Sequence, residues 1–158
     1  MPASFFHQQK SSLRNLMEET FSEKTFFPTI DDVDEWYTRI NLVVFRNELI
    51  VPFDRIEVRP RIYVWGDYTG YVVDNKKTHY EKHVFGEGLS CTLRMTNKFP
   101  NKKFFVQILA HEMVHHYQFT REEPFFQSKN ISHGKSFWKW KPTFEKHGLN
   151  LRRVAIAK

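Results

Sequence analysis

The chain has 158 residues, 27% of them charged and 16% aromatic, with 16 Phe. That bounds it to a single globular domain with a sizeable core and excludes a disordered, low-hydrophobicity polymer. The net charge of +6 is confined to residues 135–158, where Lys135, Lys139, Lys141, Lys146, Arg152, Arg153 and Lys158 face Glu145 alone; the rest of the chain is balanced. A concentrated basic segment attracts nucleic acid or acidic protein, or forms a solvated helix face and charged tail. One cysteine, Cys91, excludes an internal disulfide framework and a cysteine-based zinc ribbon, and fits a reducing compartment. No apolar run approaches the ~20 residues of a membrane span, and residues 1–12 lack a signal-peptide core. The expectation is a monomer without a membrane partner, cytoplasmic or in the nucleoid or nucleus, and not secreted.

In chain order, residues 4–21 have helical composition, with Leu13, Leu16 and Met17 on one side, so residues 1–28 read as an N-terminal helix or leader. Thr29, Asp31 and Asp32 mark a helix start, and Val33, Trp36, Tyr37, Ile40, Val44 and Phe45 follow at helical spacing to an end near Asn47. Ile56 and Val58, then Ile62 and Val64, alternate with charged residues as strands, and Pro60 between them predicts an edge or a break. Gly66 and Gly70 bracket an expected turn before 71–73, and a polar loop is expected over 74–82. Leu89, Cys91, Leu93 and Met95 alternate with Ser90, Thr92 and Arg94 as a half-buried strand.

A helix is predicted over 101–119, capped by Asn101 or Thr96, with Lys102 and Lys103 poorly placed in its first turn. It is apolar nearly all round, so it should be buried and central. Residues 118–131 read as a polar connection. Residues 136–147 are expected to be helical, kinked or delayed by Pro142 and stopped by Gly148, with 149–157 a short strand.

The helix over 101–119 carries His111-Glu112-Met113-Val114-His115, the pattern HExxH. Positions four apart share a helix face, so His111 and His115 can grip one metal ion, and Glu112 stands where a carboxylate reaches a metal-bound water. A catalytic zinc site needs a third protein ligand and an open fourth position. Gln118 and Arg121 stand where a metzincin needs glycine and histidine, which excludes that class. Glu122 and Glu123 are too close in sequence to serve. The best third ligand is His133, with Gly134 allowing a sharp turn after it; Glu145 and His147 are the substitutes. His116 is a neighbour of the site or exposed rather than a ligand, and His7, His79 and His83 read as solvated.

HExxH, a linker, and then His133-Gly134 followed by Phe137 resemble the SprT-like metalloprotease domain, the family that includes Spartan. The resemblance spans residues 30–155 and takes in the preceding strand 89–95. It implies an α+β, zincin-like minimal metalloprotease: a small mixed or antiparallel sheet packed on the central HExxH helix, with flanking helices. It also implies one Zn2+ held by His111, His115 and His133, Glu112 as general base, and protein substrates, including DNA-associated or DNA-crosslinked ones. The C-terminal zinc ribbon that many relatives carry has no cysteines to form it here.

The residues suggest the rest of the mechanism. Zinc brings the pKa of its bound water near ~7 and polarises the scissile carbonyl; Glu112 takes the water's proton and returns it to the leaving amine. The strand 89–95, with Ser90, Thr92 and Arg94, is expected to offer an edge on which an extended substrate pairs. Lys135, Lys139, Lys141, Arg152 and Arg153, with Trp138 and Trp140 interleaved, could hold DNA, though Phe137 and Trp140 also fit a core at helical spacing. The competing function is a non-catalytic, zinc-stabilised nucleic-acid-binding module built on that basic segment. Cys91 reads as a small core residue, and the sequence singles out no oxyanion-stabilising group, Tyr117 and Tyr80 included.

Overall fold

A computed structural model describes residues 24–122 and 133–152. The predicted N-terminal helix, His7, Glu123, most of the linker, Arg153 and most of the last strand lie outside them. The described chain is mixed α+β. Helix α1 (Ile30–Val43) leads to β1 (Arg55–Val58) and β2 (Gly66–Val72); then come α2 (His79–Phe85), β3 (Leu89–Met95), α3 (Lys102–Arg121), α4 (Lys135–Trp138) and α5 (Lys141–Lys146).

Helix α1 starts as its sequence predicts. The Thr29 hydroxyl accepts from the Asp32 amide and the Asp32 carboxylate accepts from the Thr29 amide, a reciprocal cap. It ends four residues before Asn47, because Arg46 and Asn47 adopt left-handed backbone and the Asn41 side chain bonds both the amide and the carbonyl of Leu49. Val33, Trp36 and Ile40 on its inner face join α3 in the main core.

The sheet order is β1-β3-β2, with β1 parallel and β2 antiparallel to β3. Six sequence expectations differ from the structure. Residues 62–64 form no strand: Ile62 and Tyr63 are exposed and the chain there is irregular. Gly66 and Gly70 are not turn punctuation but lie within β2, where a Cβ on Gly66 would sit 2.9 Å from the Met95 sulfur and 3.1 Å from Ile108, and one on Gly70 would sit 2.6 Å from the Phe119 ring. Glycine is needed there because the strand lies against α3 without room for a side chain. The expected loop over 74–82 ends in α2, started by a reciprocal cap between Thr78 and Glu81, and the described part of 149–157 forms no strand. His83 is buried, not solvated; its Nδ1 donates to the Thr120 carbonyl. Finally, β3 is the central strand rather than an edge, hydrogen-bonded on both sides.

Helix α3 is the buried spine. Asn101 caps it by accepting from the Phe104 amide at 2.8 Å, and its first turn carries no acid. Phe105, Val106, Leu109, Ala110, Met113 and Val114 are fully buried. The predicted helix 136–147 is two short ones, because Pro142 stands in the first turn of α5 and cannot continue α4. No described helix is long and apolar enough to cross a membrane.

Candidate metal centre

Two stripes of α3 carry the site. Ile108, Glu112, His116 and Phe119 face β2: Gly66 lies under Ile108, the Tyr68 hydroxyl bonds His116, and Gly70 lies under Phe119. His111, His115 and Gln118 form the next stripe, facing the segment that opens α4. There His133 comes back to the helix. The ligand atoms of His111, His115 and His133 all lie within 4.8 Å of one another, and the Nε2 atoms of His111 and His115 are 3.3 Å apart. Glu145 and His147, the substitute ligands, do not join this cluster among the described residues.

Phe137, fully buried, lies against the triad. Its ring centroid is 5.0 Å from His111, 5.3 Å from His115 and 4.7 Å from His133. Each motif histidine is oriented by a second contact. Gln118 Oε1 faces His115 Nδ1 at 2.8 Å, so Nδ1–H donates and the Nε2 lone pair is left toward the cluster. Gln118 Nε2 then donates to the Ser136 hydroxyl at 2.7 Å, tying α3 to the segment that holds His133. The His111 ring is hydrogen-bonded to the Arg152 backbone.

Electrostatics keep these rings neutral. Burial, then the charges of His115 and His133, pull His111 down to about 3; burial pulls His115 down to about 4. Neutral imidazole is the form that binds metal. Glu112 is 6% exposed. Burial, then the negative charge of Asp67, pushes its carboxyl up to about 8, against the opposing pull of Arg61. A divalent cation at the histidines would draw it back toward the carboxylate. Three converging imidazoles, those of His111 and His115 held neutral by burial and one with its tautomer fixed by an amide, suit a divalent transition-metal ion.

Other sequence candidates lie elsewhere. Ser90, Thr92 and Arg94 stand on the central strand, on the face opposite Cys91, Leu93 and Met95; Arg94 is engaged by Asp67, Thr69 and Glu57. They are not an edge for substrate. Lys139 pairs with Glu122 at 2.7 Å and Lys141 with Glu145 at 3.6 Å, while Lys135 and Arg152 are exposed. Phe137 is core; Trp138 and Trp140 pack against it half-buried. His116 is fully buried rather than exposed. The Tyr117 ring packs on Phe45 and Trp140 and that of Tyr80 on Phe85, so neither stands in the triad. Cys91 is buried, with its thiol pushed up to about 11 by burial, as befits a core residue.

Sequence reasoning missed Gln118, Ser136 and the Arg61–Asp67 pair, which are joined at 2.6 Å. Gln118 was within reach of the sequence, since a polar residue three after a helical ligand shares its face. The charge pair was not, because it joins an irregular segment to a strand. The chain matches no family model, no curated protein and no solved structure.

Proposed function

We propose that this chain is a zinc-dependent metalloprotease of the SprT-like, zincin type, cleaving peptide bonds in protein substrates. The observation that carries the reading is the convergence of His111, His115 and His133 within 4.8 Å, with Glu112 one residue from the first of them on the same helix. When bound, zinc acidifies a water and polarises a carbonyl. His111, His115 and His133 hold the ion; Gln118 and the Arg152 backbone orient two of them. Glu112 removes the proton of the attacking water and delivers it to the departing amine. Asp67 and Arg61 set the charge around that carboxyl.

The competing module, a structural zinc site that binds nucleic acid, is less well supported. A structural site is closed by four side chains, and the described cluster offers three. Two of the lysines assigned to DNA are also occupied by Glu122 and Glu145. Glu112→Gln keeps shape and the histidines while removing the base. It should retain one metal ion per chain and lose about 100-fold or more of peptide hydrolysis. Undiminished cleavage by this variant would sink the assignment.

A further inference from the structure

Two hollows on the N-terminal half of α3 share four residues. The larger is an open groove of about 460 Å³ whose walls include Lys103, Phe104, Gln107, Glu145, Asn150 and Arg152. The smaller, about 90 Å³, repeats Phe104, Gln107, Asn150 and Arg152 and adds Ile108 and His111. Together they form one groove along the helix, Phe104 to Ile108 to His111, that ends at a histidine of the triad.

We propose that this groove is a substrate subsite for an acidic peptide residue next to the cleaved bond, with Arg152 as the side chain that reads its carboxylate. The inference rests on the protease reading for what is cleaved, but the groove and its charge stand on their own geometry.

The far wall is held by main-chain contacts. The Asn150 amide donates to Gln107 Oε1 at 3.0 Å, and the Arg152 backbone is bonded to the His111 ring. The Arg152 side chain therefore starts from a fixed point at the junction of groove and triad; its Nε and Nη2 donate to the Asn150 side-chain oxygen at 2.8 and 2.9 Å, and no carboxylate pairs with it among the described residues. Asn150 holds one edge of the planar guanidinium, and the other edge, Nη1 with the second Nη2 hydrogen, can match a carboxylate with two parallel hydrogen bonds. Lys103 adds a second positive charge on the helix rim. The side-chain oxygens of Gln107 and Asn150 are taken by the Asn150 amide and by Arg152, and the volume falls in the range of small-ligand clefts.

A peptide fits this lining better than nucleic acid does. Affinity for nucleic acid comes from neutralising a run of phosphates. Here Glu145 stands in the same wall, half of its side chain exposed, and would repel that backbone. A single carboxylate at the Arg152 end avoids it.

The test uses the metal-loaded Glu112→Gln chain, so that binding is read without turnover. Fluorescein-labelled peptides of equal length that differ only in one central glutamate or lysine, and a single-stranded oligonucleotide, are titrated by anisotropy. The glutamate peptide should bind at least about tenfold tighter than the lysine peptide. Arg152→Glu should reverse that order with metal content unchanged, since the backbone bond to His111 survives. Lys103→Glu, on the opposite rim, should shrink the preference without touching the Arg152 main chain.

An acid preference that persists in both variants overturns the proposal. So does an oligonucleotide that binds tighter than either peptide and is released by Arg152→Glu. The two readings fail separately. If the reversal appears but the wild-type chain cuts neither peptide, the protease assignment falls and the groove stands. If the wild type cuts peptides with an acid-to-base ratio that Arg152→Glu leaves unchanged, the groove assignment falls alone.

Discussion

His115 and His116 are neighbours on one helix, both with their rings held neutral by burial near pKa 4, yet their ring nitrogens are used differently. His116 faces the sheet: its Nε2–H donates to the Val51 carbonyl at 2.5 Å and its Nδ1 accepts from the Tyr68 hydroxyl at 2.8 Å. Both ring nitrogens are spent on protein. His115 faces the His133 segment, spends Nδ1 on Gln118, and turns Nε2 to within 3.3 Å of the matching atom of His111. Two ring nitrogens side by side are poor hydrogen-bond partners for one another, and a cation between them is the natural third party. Burial alone therefore does not distinguish a ligand from a structural histidine; what distinguishes them is where the second nitrogen goes.

The largest effect that can break this contrast is on metal content. His115→Ala and His133→Ala should each drop bound metal well below one ion per chain, while His116→Ala retains it. Equal loss in all three, read by elemental analysis of the purified chains, would erase the distinction. The reciprocal effect is on stability. His116→Ala takes the ring donor from the Val51 carbonyl and leaves the Tyr68 hydroxyl with Cys91, at roughly 1–3 kcal/mol for a buried partner left unmade. Urea unfolding of the metal-free chain should show it most destabilised of the three. His115→Ala, beside a cluster open to a ligand, should lose less.

A smaller effect tests the amide that sets the ligand face. Gln118→Ala frees His115 to flip tautomer and unties Ser136. Metal affinity should fall about 10–100-fold, the usual cost of losing such a partner. Gln118→Glu still accepts from His115 Nδ1 and should recover most of it. Affinity unchanged in the alanine variant, measured by competition with a chelator, would reduce Gln118 to a bystander.

The contrast also explains what the sequence could reveal. HExxH on a helix is a local pattern, four residues on one face, so His111, Glu112 and His115 were legible, as were the alternating strand at Leu89–Met95 and the caps at Thr29 and Asn101. The cap of α2, Thr78 with Glu81, was equally local but was obscured by the polar composition around it. The role of His116 was not legible, because its partners are 65 and 48 residues away. Gly66 and Gly70 mislead for the same reason: they look like breakers until Ile108 and Phe119 lie on them. The central place of β3 depends on β1 returning parallel to it, and strand order leaves no mark on a strand's own alternation.

The smallest effect is on pH, and it sharpens the comparison because the buried histidines and the buried carboxyl beside them titrate with opposite sign. In the unfolded chain each histidine titrates near 6.5; folded, His111 waits until about 3 and His115 and His116 until about 4. Between pH 6.5 and 4 the unfolded chain holds the extra protons, so these groups make the metal-free protein less stable as pH falls. Glu112 runs the other way. Its folded value of about 8 lies above its ordinary 4.5, so between those limits the folded chain holds the extra proton. Its contribution is present in acid and fades as pH rises through 8. The two trends meet near pH 6.5, where the metal-free chain should be at its most stable in this window. Glu112→Gln should flatten the alkaline side of that maximum and leave the acid side in place, whereas replacing His116 should soften only the acid side. Urea midpoints from pH 4.5 to 8.5 measure both. An alkaline decline that survives in Glu112→Gln would mean that its source is not the buried carboxyl beside the triad.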